Sequence, residues 1–170
     1  MTKVYYRAGE AVIPVKATEI AYDMLMNPII LLINEDLSKV LPIWIGPVEA
    51  NSISLAFQGV YMDRPLTHDL LINICGKLEA NFSMVLINDI VEGNYIAELH
   101  MWHGKDNLII DSRPSDAIAI AIRTQTPIYL TPKVAAGLMT ISDLLSDEQQ
   151  QDLRKLIDSA KIVDMKKQAN

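Results

Sequence analysis

The sequence predicts an α+β domain: a mixed, largely antiparallel sheet flanked by helices, with an amphipathic helix at the C-terminal end. Three observations predict it. Apolar runs follow one another at hairpin distances near the start, period-two alternation fills the middle, and helical patterns are interleaved without regular β–α alternation. The 170 residues suffice for one core, since a chain of this size buries roughly 70% of its unfolded surface. Half of the residues are apolar and 21% charged, which excludes a disordered chain.

Val15–Tyr22 reads as the first strand, with residues 1–14 a polar lead-in. Asn27-Pro28 turns the chain into Ile29–Ile33, and Asn34-Glu35-Asp36 turns it again into Val40–Ile45. Gly46-Pro47 then opens a helix, with Glu49 at the positive end of its dipole and Ile53, Ala56, Phe57 and Val60 at helical spacing. A second helix begins at Thr67, whose hydroxyl is expected to cap it, and Leu70, Leu71, Ile74, Cys75 and Leu78 are its expected inner stripe. Phe82–Val91, Asn94–His103 and Leu108–Ser112 form a meander in which Tyr95, Ala97, Leu99 and Met101 alternate with Ile96, Glu98, His100 and Trp102, as in a half-buried strand with one face to solvent. Ala117–Arg123 is an almost wholly apolar helix, expected in the core. A short strand over Pro127–Leu130 and a short helix over Pro132–Leu138 follow. Ser146-Asp147-Glu148-Gln149 has the capping-box pattern and starts the terminal helix, buried through Leu153, Leu156, Ile157 and Ala160.

A net charge of −6 argues against a chain held on nucleic acid by charge alone, which needs a basic footprint. One cysteine, Cys75, excludes an internal disulfide and a cysteine-based zinc cage. No apolar run approaches the ~20 residues of a membrane span, and residues 1–10 lack the apolar core of a secretory signal. The expected location is the cytoplasm.

The sequence has no glycine-rich phosphate loop, nucleophile elbow, H-E-x-x-H or C-x-x-C. Chemistry is carried instead by polar residues that packing does not demand. In Asp111-Ser112-Arg113-Pro114-Ser115-Asp116 one carboxylate ends a strand and another opens a buried helix. Such a pair supplies oxygen ligands for Mg²⁺ or Mn²⁺, and the arginine steadies charge on a phosphate. The same residues also suit a salt-bridged turn in which Arg113 joins both carboxylates and Ser115 or Asp116 serves the helix N–H groups. In Arg64-Pro65-Leu66-Thr67-His68-Asp69, His68 is a general base or metal ligand if Asp111 or Asp116 lies near; otherwise it is an exposed residue beside a capped helix. Glu49 is a third carboxylate, explained equally by a metal or by the helix dipole. His100 and His103 point to opposite faces of a strand and do not form a ligand pair.

The stretches Leu41–Ala50, Arg64–Leu71 and Ile110–Ala119, taken together and in this order, resemble the bifunctional nuclease domain family, over about Val15 to Ile141. The resemblance divides the chain into an N-terminal extension (1–14), a nuclease-like domain (15–141) and a C-terminal helical extension (142–170). It implies an α+β fold, homodimers, and nuclease activity on DNA and RNA. Its candidate site residues here are Glu49, Arg64, His68, Asp69, Asp111, Arg113, Ser115 and Asp116. On that basis His68, Asp111, Arg113 and Asp116 are the expected catalytic residues, and Arg64 and Ser115 the expected substrate contacts. Asp111, Asp116, Glu49 and Asp69 are the expected ligands of Mg²⁺ or Mn²⁺, and the nucleic acid is bound weakly. The alternative is a non-catalytic homodimeric module that binds a small ligand or a protein, with the D-x-R-P-S-D segment as a structural turn.

Overall fold

Ile13–Tyr22 (β1) and Pro28–Asn34 (β2) pair antiparallel around a turn organised by one side chain. The computed structural model describes Tyr6, Gly9, residues 11–60 and residues 62–140. In that turn Asp23 accepts from the Leu25 and Asn27 backbone N–H groups, the Asn27 amide and Trp44 Nε1, at 2.9 to 3.1 Å. These donors, led by the Asn27 side chain, lower its carboxyl to about 2. Lys39–Trp44 (β3) pairs antiparallel with β2, as the three apolar runs predict. Pro47–Phe57 (α1) and Thr67–Lys77 (α2) precede a second meander, made by Ala80–Val91 (β4), Asn94–His103 (β5) and Asp106–Ser112 (β6). Pro114–Thr124 (α3) leads into Ile128–Leu130 (β7), followed by Pro132–Ala135 (α4) and Met139–Thr140 (β8).

The chain divides into two units, Met1–Leu138 and Met139–Asn170. Within the first, the strands lie in the order β6-β5-β4-β7-β1-β2-β3. The short β7 joins the two meanders, parallel to β4 and antiparallel to β1, so the sheet is mixed. Against it lies a core that includes Ile30, Leu32 and Leu41 from one meander, Val85, Ile87 and Ala97 from the other, and Ile53 and Ala117–Ala121 from α1 and α3. The fold is α+β as expected. The terminal helix expected after Ser146 lies outside the described residues.

Three expectations about packing are corrected. Thr67 is the first residue of α2, not its cap; Leu66 occupies the cap, and the Asp69 side chain accepts from the Leu66 N–H at 3.0 Å. The stripe assigned to the inside of α2 faces outward: Leu70, Leu71, Ile74 and Leu78 are exposed and Cys75 is half-buried. Burial raises the Cys75 thiol above its ordinary value. The inner face of α2 instead carries His68, Asp69, Ile72 and Cys75, with Ile72 against the core and the two polar residues turned inward for a reason that lies in the site. Finally, β5 is covered on both faces, because Glu98 and His100 are buried as fully as their apolar neighbours. Tyr6 Oη donates to Glu98 Oε2 at 2.6 Å, His100 Nε2 lies 3.0 Å from the same oxygen, and Asn88 Nδ2 donates to Oε1 at 2.9 Å. Bonding of this kind is what lets a carboxylate stay buried.

Candidate functional site

Each of the three long helices carries a carboxylate at its third residue: Glu49 in α1, Asp69 in α2 and Asp116 in α3. There an acid meets the unpaired N–H groups and the positive end of the helix dipole, so the placement is locally favourable. The site is made by what the tertiary fold adds, namely two arginines from the two ends of α3. Pro114 starts that helix, and Arg113 is its cap residue in extended conformation. Arg113 Nε donates to Asp116 Oδ2 at 2.7 Å and an outer nitrogen donates to Oδ1 at 3.1 Å, a two-pronged grip. The third guanidinium nitrogen lies 2.9 Å from Glu49 Oε1. Arg113 thus ties α1 to α3 while its side chain stays 65% exposed.

Arg123 does the same on the buried side, where its side chain is only 9% exposed. It donates from Nε to Asp69 Oδ1 at 2.8 Å, to the Ala119 carbonyl at 3.0 Å, and to both the carbonyl and Oγ of Ser52 at 3.1 Å. Asp116 and Arg123 are seven residues apart on a helix, two turns, so they share one face of α3.

His68 closes the chain of contacts. Its Nδ1 lies 2.9 Å from Ser52 Oγ and its Nε2 lies 3.1 Å from Asp116 Oδ1. Against a carboxylate, Nε2 carries a hydrogen and donates. Burial raises the Asp116 carboxyl, but the hydrogen bonds from Arg113 and His68 outweigh it and hold it below its ordinary value. A continuous polar seam therefore runs Glu49–Arg113–Asp116–His68–Ser52–Arg123–Asp69, between α1, α2 and α3. It is the reason α2 turns His68 and Asp69 inward. Turning the leucine face inward would leave Arg123 without its carboxylate in a buried place.

Gly46 shapes the outer end. A Cβ at that position would collide with the carboxylate of Glu49, which folds back over the glycine.

The residues singled out in the sequence separate into two groups. Glu49, His68, Asp69, Arg113 and Asp116 converge in the seam. Asp111 does not: it pairs across the ladder with Glu98, which points away from the face where Ala97 and Leu99 meet α3. Arg64 is exposed and has no hydrogen bond or ion pair among the described residues, and Ser115 is buried without joining the seam. Among the described residues no group of three or more His, Cys, Asp or Glu side chains is gathered as a ligand set. Glu49 and Asp116 are already occupied by Arg113, and Asp69 by Arg123. As arranged, these carboxylates do not fit a divalent ion. Ser52 and Arg123 were missed from sequence. The available signal was positional: Ser52 lies three residues beyond Glu49 on α1, and Arg123 seven beyond Asp116 on α3.

A family model described as a bifunctional nuclease domain matches residues 29–141, a span holding every member of the seam. Two uncharacterized proteins of Mycobacterium tuberculosis, from strains CDC 1551 / Oshkosh and ATCC 25618 / H37Rv, are each 39% identical to the chain over 123 residues, covering 72% of this chain and 73% of their own length. Bifunctional nuclease 2 of Oryza sativa subsp. japonica is 29% identical over 110 residues, which is 63% of this chain and 34% of the rice protein.

Proposed function

The chain belongs to the bifunctional nuclease domain family, and we propose that its Arg113-centred seam binds and hydrolyses the phosphodiester bonds of DNA or RNA. The observation that carries this reading is the state of Arg113, held by Glu49 and Asp116 yet 65% exposed. Two of its five N–H groups are left for a phosphate oxygen, in a fork whose direction is already fixed. That is electrostatic preorganisation: the donor meets developing negative charge without reorienting. Asp116, 30% exposed, takes the proton of the attacking water on a remaining carboxylate lone pair as the water oxygen bonds to phosphorus, while the P–O bond to the leaving oxygen breaks and that oxygen is protonated from solvent. His68 donates to Asp116 and orients it. The phosphate lies beside the N-terminus of α3, where the dipole adds to the attraction.

No step runs through a divalent ion, and the Mg²⁺, Mn²⁺ and EDTA arms of the assay below test the expectation of one that the sequence raised. The acidic surface makes nucleic-acid binding weak and salt-sensitive. Cleavage of single- and double-stranded DNA and RNA, with Mg²⁺, Mn²⁺ or EDTA, is the test, with Asp116→Asn as control. Activity is expected to fall about 100-fold in the variant, assayed below its own, somewhat lowered, melting temperature. Activity that survives the substitution in full comes from elsewhere and ends the assignment.

A second reading, a homodimeric interaction module, has its own observation in the outward apolar face of α2. Leu70, Leu71, Ile74 and Leu78 are 39% to 63% exposed, an unusual density for the solvent face of a monomer. A second copy packed on this face is the proposed dimer, and it is compatible with catalysis. No helix among the described residues is long and apolar enough to cross a membrane; the cytoplasm is the proposed location.

A further inference from the structure

A cleft of about 320 Å³ opens beside the inner end of the seam. Arg123 and Asp69 line it, and since they are committed to each other they form a fixed, charge-balanced floor. Its walls are apolar at Met62, Pro65 and Ile72 and polar at Asp63 and Asn73. Neither Asp63 nor Asn73 makes a hydrogen bond or ion pair among the described residues, so a carboxylate and an amide are free to meet a ligand. We infer that this cleft receives one unstacked nucleobase of a single strand whose neighbouring phosphate lies on Arg113.

The inference rests on the nuclease reading and adds a substrate class to it. A nucleobase has two apolar faces and one polar edge, the same division as the walls. The volume is at the lower end of the range for small-ligand sites and suits a base or nucleoside. In a duplex the Watson–Crick edge is spent on the opposite strand, so only an unpaired or flipped base offers it to Asp63 and Asn73. The spacing fits: Asp116, which grips Arg113, lies two turns of α3 from Arg123, about 10 Å. A short stretch of single strand covers that span. Arg64, between the lining residues Asp63 and Pro65, is a cation with no ion pair among the described residues, placed to take the next phosphate. Asp63 repels a phosphate from the cleft, while the free N–H groups of Arg113 and the charge of Arg64 hold it outside, which sets the orientation. A carboxylate at the base edge selects for an exocyclic amino group, which cytosine, adenine and guanine possess and thymine and uracil lack.

Two measurements on the full chain test this. Fluorescence anisotropy compares labelled oligo(dC), oligo(dT) and a blunt duplex of the same length. Oligo(dC) is expected to bind about tenfold more tightly than oligo(dT), and the duplex more weakly than oligo(dC). Asp63→Asn is expected to erase the dC-over-dT preference, and Asn73→Leu to weaken both single strands about fivefold. Both positions are outside the core, so the fold is retained and checked by melting. Titration of CMP and UMP, followed by amide NMR shifts, forms the second arm. Neither mononucleotide contains an internucleotide linkage, so this arm is blind to hydrolysis. Shifts centred on Asp63 and Asn73 with CMP, weaker with UMP, support the cleft even in a chain that cleaves nothing. Equal binding of oligo(dC), oligo(dT) and duplex, or a preference untouched by Asp63→Asn, overturns the cleft and leaves the nuclease reading standing on its own assay.

Discussion

Arg113 and Arg123 sit on one helix with the same chemistry and opposite surroundings, and that contrast sets different expectations for each. Arg113→Lys keeps the charge but loses the planar fork that grips Asp116 twice. Its effect belongs to the site, with little change in melting. Arg123 is nearly buried and serves three partners. Arg123→Gln leaves Asp69 and the Ser52 carbonyl under-satisfied, and a loss of about 2 kcal/mol is expected in urea unfolding. Asp116 adds a pH dependence whose sign follows from its lowered carboxyl. Its contribution to stability is full above the ordinary carboxylate value of 3.8 and is lost as pH falls through the lower native value. Asp116→Asn should therefore flatten the acid limb of the stability curve between 3.8 and the lower native value, measured by melting against pH. Five members of the seam were legible as residue types in telling places. Ser52 and Arg123 were not, because a serine inside a helix and an arginine near its end are ordinary. Their partners lie 54 and 71 residues away in the chain, a distance that no local pattern spans.

At the scale of elements, the strands and helices follow from hydrophobic period and from turn residues, and they form where those signals lie. α2 shows the limit of that reasoning. Its 3.6-residue period offers a leucine face and a mixed face with His68, Asp69 and Ile72, and apolarity alone chooses the leucines for the inside. The ionic partners waiting on α1 and α3 reverse the choice. The outward face then makes a specific expectation: Leu70→Ser with Ile74→Ser should change monomer stability by no more than about 0.5 kcal/mol per site. The same pair should shift sedimentation from dimer to monomer. Unchanged sedimentation of a dimeric wild type would move the interface away from α2. By contrast α3 is buried as its composition demands, and Ile118→Ala, at a fully buried position, should cost about 3 to 4 kcal/mol in denaturant unfolding.

Over the whole molecule, two antiparallel meanders joined by the three residues of β7 form a platform, and α3 runs from the second meander back toward the junction. That path lets one helix carry both arginines past α1 and α2 and gather three helix starts at one seam. Asp111, placed by its motif beside Asp116 in sequence, is lost to the seam because β6 ends with it on the far side of the sheet. The net charge of −6 is not reversed in the seam, where three carboxylates, Glu49, Asp69 and Asp116, meet two arginines, Arg113 and Arg123; what the seam offers an anion is the pair of directed N–H groups that Arg113 keeps free, with Arg64 as a further cation outside it. Arg113 is the group proposed to meet the phosphodiester. The most direct measurement is kcat for cleavage of a quenched fluorescent single-stranded oligonucleotide by wild type and Arg113→Gln, purified side by side and matched in melting temperature. The account predicts a fall of at least about 100-fold for the variant; equal rates from the two proteins would contradict it.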